Sequence, residues 1–258
     1  FRKYSNEFLN IGAGARGLAM GGAQVASVYD GNAGYWNPAG LVGVKDNVQI
    51  NSMYASYFAG IGKYEYGSVA IPIQDNKRTL GLSILRFAVD DIPNTLYLVE
   101  PDGSINYGNV QSFSSADYAL LLSFAQNLKK SEKWSSGFGV NAKVIYRKVG
   151  KFASAWGFGI DAGYQMRGEK WNLGIVAKDI TTTFNAWSFK FNEREKEILY
   201  LTNNDIPVKS TELTAPRITV GGGYNFTLSK SIKLLAEANL DLTFDGKRNT
   251  IISSKAVS

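Results

Sequence analysis

The stretch from Trp156 to Met166, WGFGIDAGYQM, places Trp156, Phe158, Ile160, Ala162, Tyr164 and Met166 on alternate positions, with Gly157, Gly159, Asp161, Gly163 and Gln165 between them. A period of two residues belongs to an extended strand, whose successive side chains point to opposite faces. One face is large and apolar; the other is small or polar. The same division runs through Phe138, Val140, Ala142, Val144 and Tyr146 against Gly139, Asn141 and Lys143. It returns in Leu234, Ala236, Ala238, Leu240, Leu242 and Phe244 against Lys233, Glu237, Asn239 and Asp241.

Working outward, nine such segments appear, at about 47–58, 63–73, 79–89, 115–127, 134–147, 154–166, 170–180, 215–227 and 231–244. Their lengths of roughly 11–14 residues exceed the ~5–6 of an average soluble strand and suit the ~9–11 tilted residues that cross a bilayer. No amphipathic helix is read between them, so the connections predict an antiparallel sheet. This decides the meaning of Gly12-x-Gly14-x-x-Gly17 with Asp30 beyond it. As a dinucleotide fingerprint it needs a βαβ unit. Only Leu18, Ala19 and Met20 precede Gly21 and Gly22, and each glycine costs a helix about 1 kcal/mol. The motif is read as glycine content without a nucleotide.

Composition narrows the chemistry. The 258 residues contain neither histidine nor cysteine, which removes His-based triads, thiol nucleophiles and the ordinary zinc sites. No catalytic residue, cofactor site or metal site is assigned. The net charge is +6, and the one tight basic cluster, Lys129, Lys130 and Lys133, reads as a solvated turn, so no nucleic-acid partner is expected. No apolar run reaches the ~18 residues of a membrane helix. The chain begins at Phe1 without an initiator methionine, which reads as a processed or cropped protein.

Three features favour a barrel with its apolar face turned to outer-membrane lipid over one with an apolar interior. Aromatic residues gather near strand ends: Tyr57, Tyr64, Tyr118, Tyr146 and Trp156 at one rim, Phe124, Trp134, Tyr164, Trp171, Tyr224 and Phe226 at the other, as in interfacial girdles. Lys143, Asp161, Lys178, Glu237 and Asp241 lie mid-strand on the polar face, which predicts a wet lumen. Links 74–78, 128–133, 167–169 and 228–230 are short, whereas 90–114 and 181–214 are long, as periplasmic turns and extracellular loops are; the short link 59–62 is an exception on the outer side. Nine strands do not close a single-chain bacterial barrel, which has an even number. The expectation is a barrel incomplete at its C-terminal side.

Residues 1–45 precede the strands and are rich in glycine and alanine, closing on Asn37-Pro38-Ala39-Gly40. Small residues permit tight packing and the Asn-Pro step fixes a turn. This predicts either a lumenal plug, with Asp30, Asn32, Asn37, Pro38, Ala39 and Gly40 as its structural residues, or a turn-rich arm outside. Residues 46–258 would form the barrel.

The segments FLNIGAGARGLAMGGAQVAS (8–27), DGNAGYWNPAGL (30–41), DDIPNT (90–95), DYALLLSFA (117–125) and LTAPRITVGGGYNF (213–226) together resemble the PorV/PorQ group of Bacteroidetes outer-membrane proteins. That group is related to the FadL long-chain fatty-acid channels, which share the Asn-Pro-Ala plug motif. The resemblance implies an all-β antiparallel transmembrane barrel of the FadL-like type, of about fourteen strands with an N-terminal plug. It implies a non-enzymatic role in type IX secretion: binding the C-terminal domains of secreted cargo at the translocon pore protein and passing them to the surface attachment complex. The docking residues would lie in the long loops, where Tyr97, Leu98, Trp187, Phe189, Phe191 and Tyr200 are the apolar anchors by type; packing between loops is the alternative use of the same residues. A FadL-like channel for hydrophobic small molecules is the second reading.

Overall fold

The computed structural model describes residues 5–100, 102–131 and 133–244. It contains eleven strands: β1 (Gln49–Tyr57), β2 (Gly62–Ile73), β3 (Arg78–Asn94), β4 (Gln111–Lys130), β5 (Trp134–Val149), β6 (Ala153–Gly168), β7 (Trp171–Lys178), β8 (Thr183–Phe189), β9 (Ser210–Thr214), β10 (Arg217–Thr227) and β11 (Lys233–Thr243). All described pairings are antiparallel and belong to one sheet. The fold is all-β, and a doubly wound parallel sheet is excluded.

Eleven strands replace the nine expected, for a local reason. The far half of β6 pairs with β7 (Ala162↔Ala177) and its near half with β8 (Phe158↔Phe184). β10 pairs with β7 and β9 with β8. Thus β7 and β8 lie end to end along one path, and β9 and β10 along the next. The first path breaks at residues 179–182, where Asp179 and Thr182 have φ of 58° and 57°, a left-handed backbone that no ladder accommodates. The second breaks at Ala215-Pro216, because proline has no amide hydrogen to donate. A further correction concerns helices. Between β8 and β9 lies α3 (Glu193–Leu201); α1 (Ala15–Ala19) and α2 (Ala33–Trp36) are single turns in the N-terminal segment.

The alternation of faces is as the period predicts. Phe158, Ile160, Leu173 and Ile175 are exposed on the outward face, which also carries Val140, Val144 and Ala162. Asn141, Lys143, Asp161 and Lys178 lie on the opposite face. Two rim residues depart from expectation: Tyr57 and Tyr64 belong to the inward face. Tyr64 is fully buried among Tyr35, Tyr66, Leu85 and Leu121, and Tyr57 packs against the same cluster. Their strand-end position was right and their side was not.

Residues 5–44 pack on the inward face. Gly31 donates to Gln49 Oε1 on β1 at 3.0 Å, and Ala26 donates to Glu237 Oε1 on β11 at 2.8 Å. A flat sheet would separate those edge paths by eight steps of ~4.8 Å, or ~38 Å. Five residues of chain reach at most ~17 Å. The sheet therefore curls strongly around the N-terminal segment. The outer limits of the expected units, residues 1–4 and 245–258, lie outside the described residues.

Candidate functional site

The first assembly is the seat of the N-terminal segment. Asn37 is fully buried; its Nδ2 donates to Val25 O at 2.8 Å and to Tyr164 O of β6 at 3.3 Å, while its Oδ1 accepts from the Ala39 amide at 3.1 Å. It thereby caps a 3₁₀ turn, Pro38–Gly43, that starts on proline and buries Pro38, Ala39 and Gly40. Asp30 accepts from the Asn32 amide at 2.9 Å and from Asn32 Nδ2 at 3.3 Å, folding the preceding turn on itself. Asn141 of β5 donates to Gly34 O at 2.8 Å, and Gln165 of β6 to Val28 O at 2.9 Å. The strand glycines have a reason here: a Cβ on Gly139 would overlap the Pro38 carbonyl carbon and the Ala39 amide nitrogen, and one on Gly163 would overlap Asn37 Oδ1. The N-terminal fingerprint glycines instead pack the segment on itself: Gly17 lies under the Trp36 ring, and Trp36 Nε1 donates to Ala13 O at 2.8 Å. Tyr35 receives the Gly12 amide at 2.8 Å and donates to Leu9 O at 2.7 Å, and burial pushes its hydroxyl pKa up.

The second assembly is ionic. Lys143 Nζ lies 2.8 Å from Asp161 Oδ1 and 2.6 Å from Asp179 Oδ1, and the Asp179 amide donates to Asp161 Oδ1 at 2.9 Å. Lys143 is 4% exposed and Asp161 2%, so both are buried on the inward face, beside a small cavity of about 40 Å³ that Lys178 and Asp179 also line. The charges persist because each is paired and hydrogen-bonded. The pairing also accounts for the break in the sheet, since Asp179 turns its amide and carboxylate into the cluster instead of the ladder. Beside it, Lys178 Nζ sits 4.9 Å from the Tyr35 ring centroid. A cavity of about 420 Å³ opens there, with Leu9, Ile11, Leu18 and Trp36 on one wall and Lys178 and Arg217 on the other. Among the described residues, no three or more carboxylates converge as metal ligands.

The third assembly joins the long loops. Tyr97 donates to Glu195 Oε1 at 3.1 Å, accepts from Asn192 Nδ2 at 3.2 Å, and carries Arg194 over its ring at 5.1 Å. Asn192 and Glu195 form a reciprocal capping box that starts α3. Lys151, from the β5–β6 turn, lies 2.9 Å from Glu195. Burial opposes ionisation of Glu195, but Lys151, the Asn192 amide and the Tyr97 hydroxyl outweigh it and hold the carboxyl below its ordinary range. Below this clasp, Phe152 meets Phe113 edge-on at 5.4 Å and stacks on Phe191 at 5.8 Å, and Trp187 stacks on Phe189 at 6.1 Å under Arg147. Arg147 is fixed in turn by Asp117 at 2.8 Å and Glu212 at 3.3 Å. A second cavity of about 420 Å³ lies among these rings.

Of the residues expected in the loops, Trp187, Phe189 and Phe191 line this cavity. Tyr97 binds α3 above it, Leu98 closes a turn by donating its amide to Thr95 O, and Tyr200 is exposed on α3 away from the cavity. Sequence reading missed Phe113, Phe152, Lys151 and Glu195. Two signals were available: an aromatic residue inside the short Gly150-Lys151-Phe152 link, and the Asn192-x-x-Glu195 spacing of a capping box. No protein-family model matches the chain, and a search of curated proteins gives no match.

Proposed function

We propose that the chain forms the plug and the larger part of the wall of an outer-membrane β-barrel of the PorV/PorQ, FadL-like kind. In this reading residues 1–45 are the plug, residues 46–258 belong to the barrel, and the apolar outward face meets lipid. Its role is non-enzymatic. It binds the C-terminal signal domain of type IX cargo at the translocon pore protein and carries it to the surface attachment complex. The sequence motifs quoted above support the assignment. The observation that carries the docking role is the aromatic cavity between loops 90–114 and 181–214, held by Tyr97, Lys151 and Glu195 at the end of the sheet opposite the short turns. A signal domain shared by many cargoes is well served by one preformed apolar recess, because few side chains then carry most of the affinity.

The test is to replace Trp187, Phe189, Tyr97 and Leu98 singly with Ala, verify folding, and measure cargo co-purification. Anchors of this type lose ~2 kcal/mol or more, about thirtyfold in affinity. Trp187→Ala and Phe189→Ala are expected to show this loss. Full binding by both removes the cavity from the docking surface. The second reading, a channel for hydrophobic small molecules, draws on the cavity beside the N-terminal segment, whose apolar wall faces Lys178 and Arg217. Uptake of a labelled fatty acid that is unchanged by deletion of the protein dismisses it.

A further inference from the structure

Charge is distributed unevenly along the strands. The short links between β2 and β3, β4 and β5, β6 and β7, and β10 and β11 all lie at one end, where neighbouring turns touch: Asn127 donates to Lys77 O at 2.9 Å and Asn225 to Lys170 O at 2.8 Å. These turns, with the first residue of β3, carry Lys77, Arg78, Lys133, Lys170 and Lys230, and among the described turn residues the carboxylates are Asp75 and Glu169. None of these five cations is within ion-pair distance of a described carboxylate. At the other end carboxylates are more numerous and several cations are paired, although Lys148, Lys190, Arg194 and Lys209 make no ion pair with a described carboxylate. There Lys63 pairs with Asp90 at 2.7 Å, Arg86 with Glu65 at 2.9 Å, Arg147 with Asp117 at 2.8 Å and Lys151 with Glu195 at 2.9 Å.

Lys77, Arg78, Lys133, Lys170 and Lys230 stand directly beyond an outward aromatic ring of Phe124, Trp134, Tyr164, Trp171 and Tyr224. Trp171 and Tyr224 pack edge-on at 4.6 Å, and Arg78 lies over Phe124 at 6.0 Å. Apolar wall, aromatic ring and cationic groups follow one another along the strand direction. Such a sequence matches acyl chains, the interfacial layer and phosphate in the same order. We propose that the turn end of the sheet selectively holds anionic phospholipid headgroups of the leaflet it faces. The proposal rests on the reading of the sheet as a membrane barrel. Zwitterionic headgroups satisfy it poorly, because their own ammonium competes for the phosphate.

The experiment places the full chain in phosphatidylcholine vesicles and measures, by electron paramagnetic resonance, its relative association with spin-labelled phosphatidylglycerol and phosphatidylcholine. The expected result is a preference for phosphatidylglycerol that 1 M NaCl removes. The variant Lys77→Gln/Lys133→Gln/Lys170→Gln/Lys230→Gln alters exposed turn positions only, and hydrogen exchange in the strands checks that it folds as the parent does. It is expected to lower the affinity for phosphatidylglycerol by at least about tenfold. Equal association of the two lipids, or a preference the variant keeps, overturns the proposal. Loss of the preference in inorganic phosphate, but not in chloride of equal ionic strength, would make this a free-anion site and overturns it too. Polyglutamate binding without lipid preference replaces the lipid with an acidic protein partner. Failure of the chain to enter vesicles at all counts against the barrel reading itself, so the two failures are distinguishable.

Discussion

Replacing Asn37 with Ala should loosen the N-terminal segment without disturbing the strands. The side chain makes two well-formed hydrogen bonds, to Val25 O at 2.8 Å and from the Ala39 amide at 3.1 Å, and a weaker one to Tyr164 O at 3.3 Å, with no solvent exposure. Each good bond contributes about 1 kcal/mol net, and a buried partner left unsatisfied costs about 1–3 kcal/mol. The Asn cap of the 3₁₀ turn falls within the same range. Alanine leaves the buried Ala39 amide without its partner and leaves Val25 O only the long contact from Gln165 Nε2 at 3.4 Å, so the expected loss is about 2–3 kcal/mol. The assay is hydrogen exchange at amides whose own acceptors the substitution leaves in place: Val28, bonded to Gln24 O, and Val44, bonded to Leu41 O. A loss of that size accelerates their exchange roughly 30- to 140-fold, while the β3 and β4 amides stay as they were. Acceleration under about threefold would refute the claim that Asn37 pins the segment to the sheet.

Gly139→Ala should produce a similar release at a cost of about 1–3 kcal/mol, because its Cβ meets Pro38 and Ala39 backbone atoms; Gly222→Ala, whose Cβ has no neighbour closer than 4.0 Å, should not. Lys143→Met leaves Asp161 and Asp179 buried without their cation and should cost about 3–5 kcal/mol in urea unfolding from detergent, whereas adding Asp161→Asn should recover part of it. The Glu195 carboxyl is held below its ordinary range. Its contribution to the loop clasp is therefore complete above the unfolded value of about 4.3 and is lost as pH falls through the lower folded one. Exchange of the α3 amides should stay slow at pH 5 and accelerate below about pH 4, and Glu195→Gln should abolish that dependence.

The two faces of each strand were legible in the sequence because a one-residue period error would invert every assignment, and Phe158, Asn141 and Lys143 left no such latitude. The strand breaks were harder to see. Residues 170–180 alternate from Trp171 to Ala177, after which Asp179 falls on the apolar parity, and the turn there is stabilised by Lys143, 36 residues earlier. No local pattern encodes that contact. Tyr57 and Tyr64 were placed on the wrong face because their position at a strand end was weighed above their parity with Met53, Ala55 and Tyr66, which pack inward. The burial of Lys143 and Asp161 depends on the N-terminal segment and on their own mutual pairing, both of which are tertiary facts. Asn37 was legible as a turn residue, while its bond to Tyr164, 127 residues away, was not. The loop aromatics were recognisable by type, and Phe113 and Phe152 were passed over because they sit at a strand start and in a short link.

The most direct test of the account is the surroundings of the outward face in a bilayer. The chain contains no cysteine, so Leu122→Cys, Ile160→Cys and Leu173→Cys, on three different strands, can each carry a single nitroxide label, with Tyr200→Cys on α3 as the reference. The account predicts that the three strand labels collide readily with dissolved oxygen and hardly with a water-soluble nickel chelate, and that the Tyr200→Cys label does the reverse. Nickel accessibility at Ile160→Cys equal to that at Tyr200→Cys would place the apolar face in water and contradict the membrane reading.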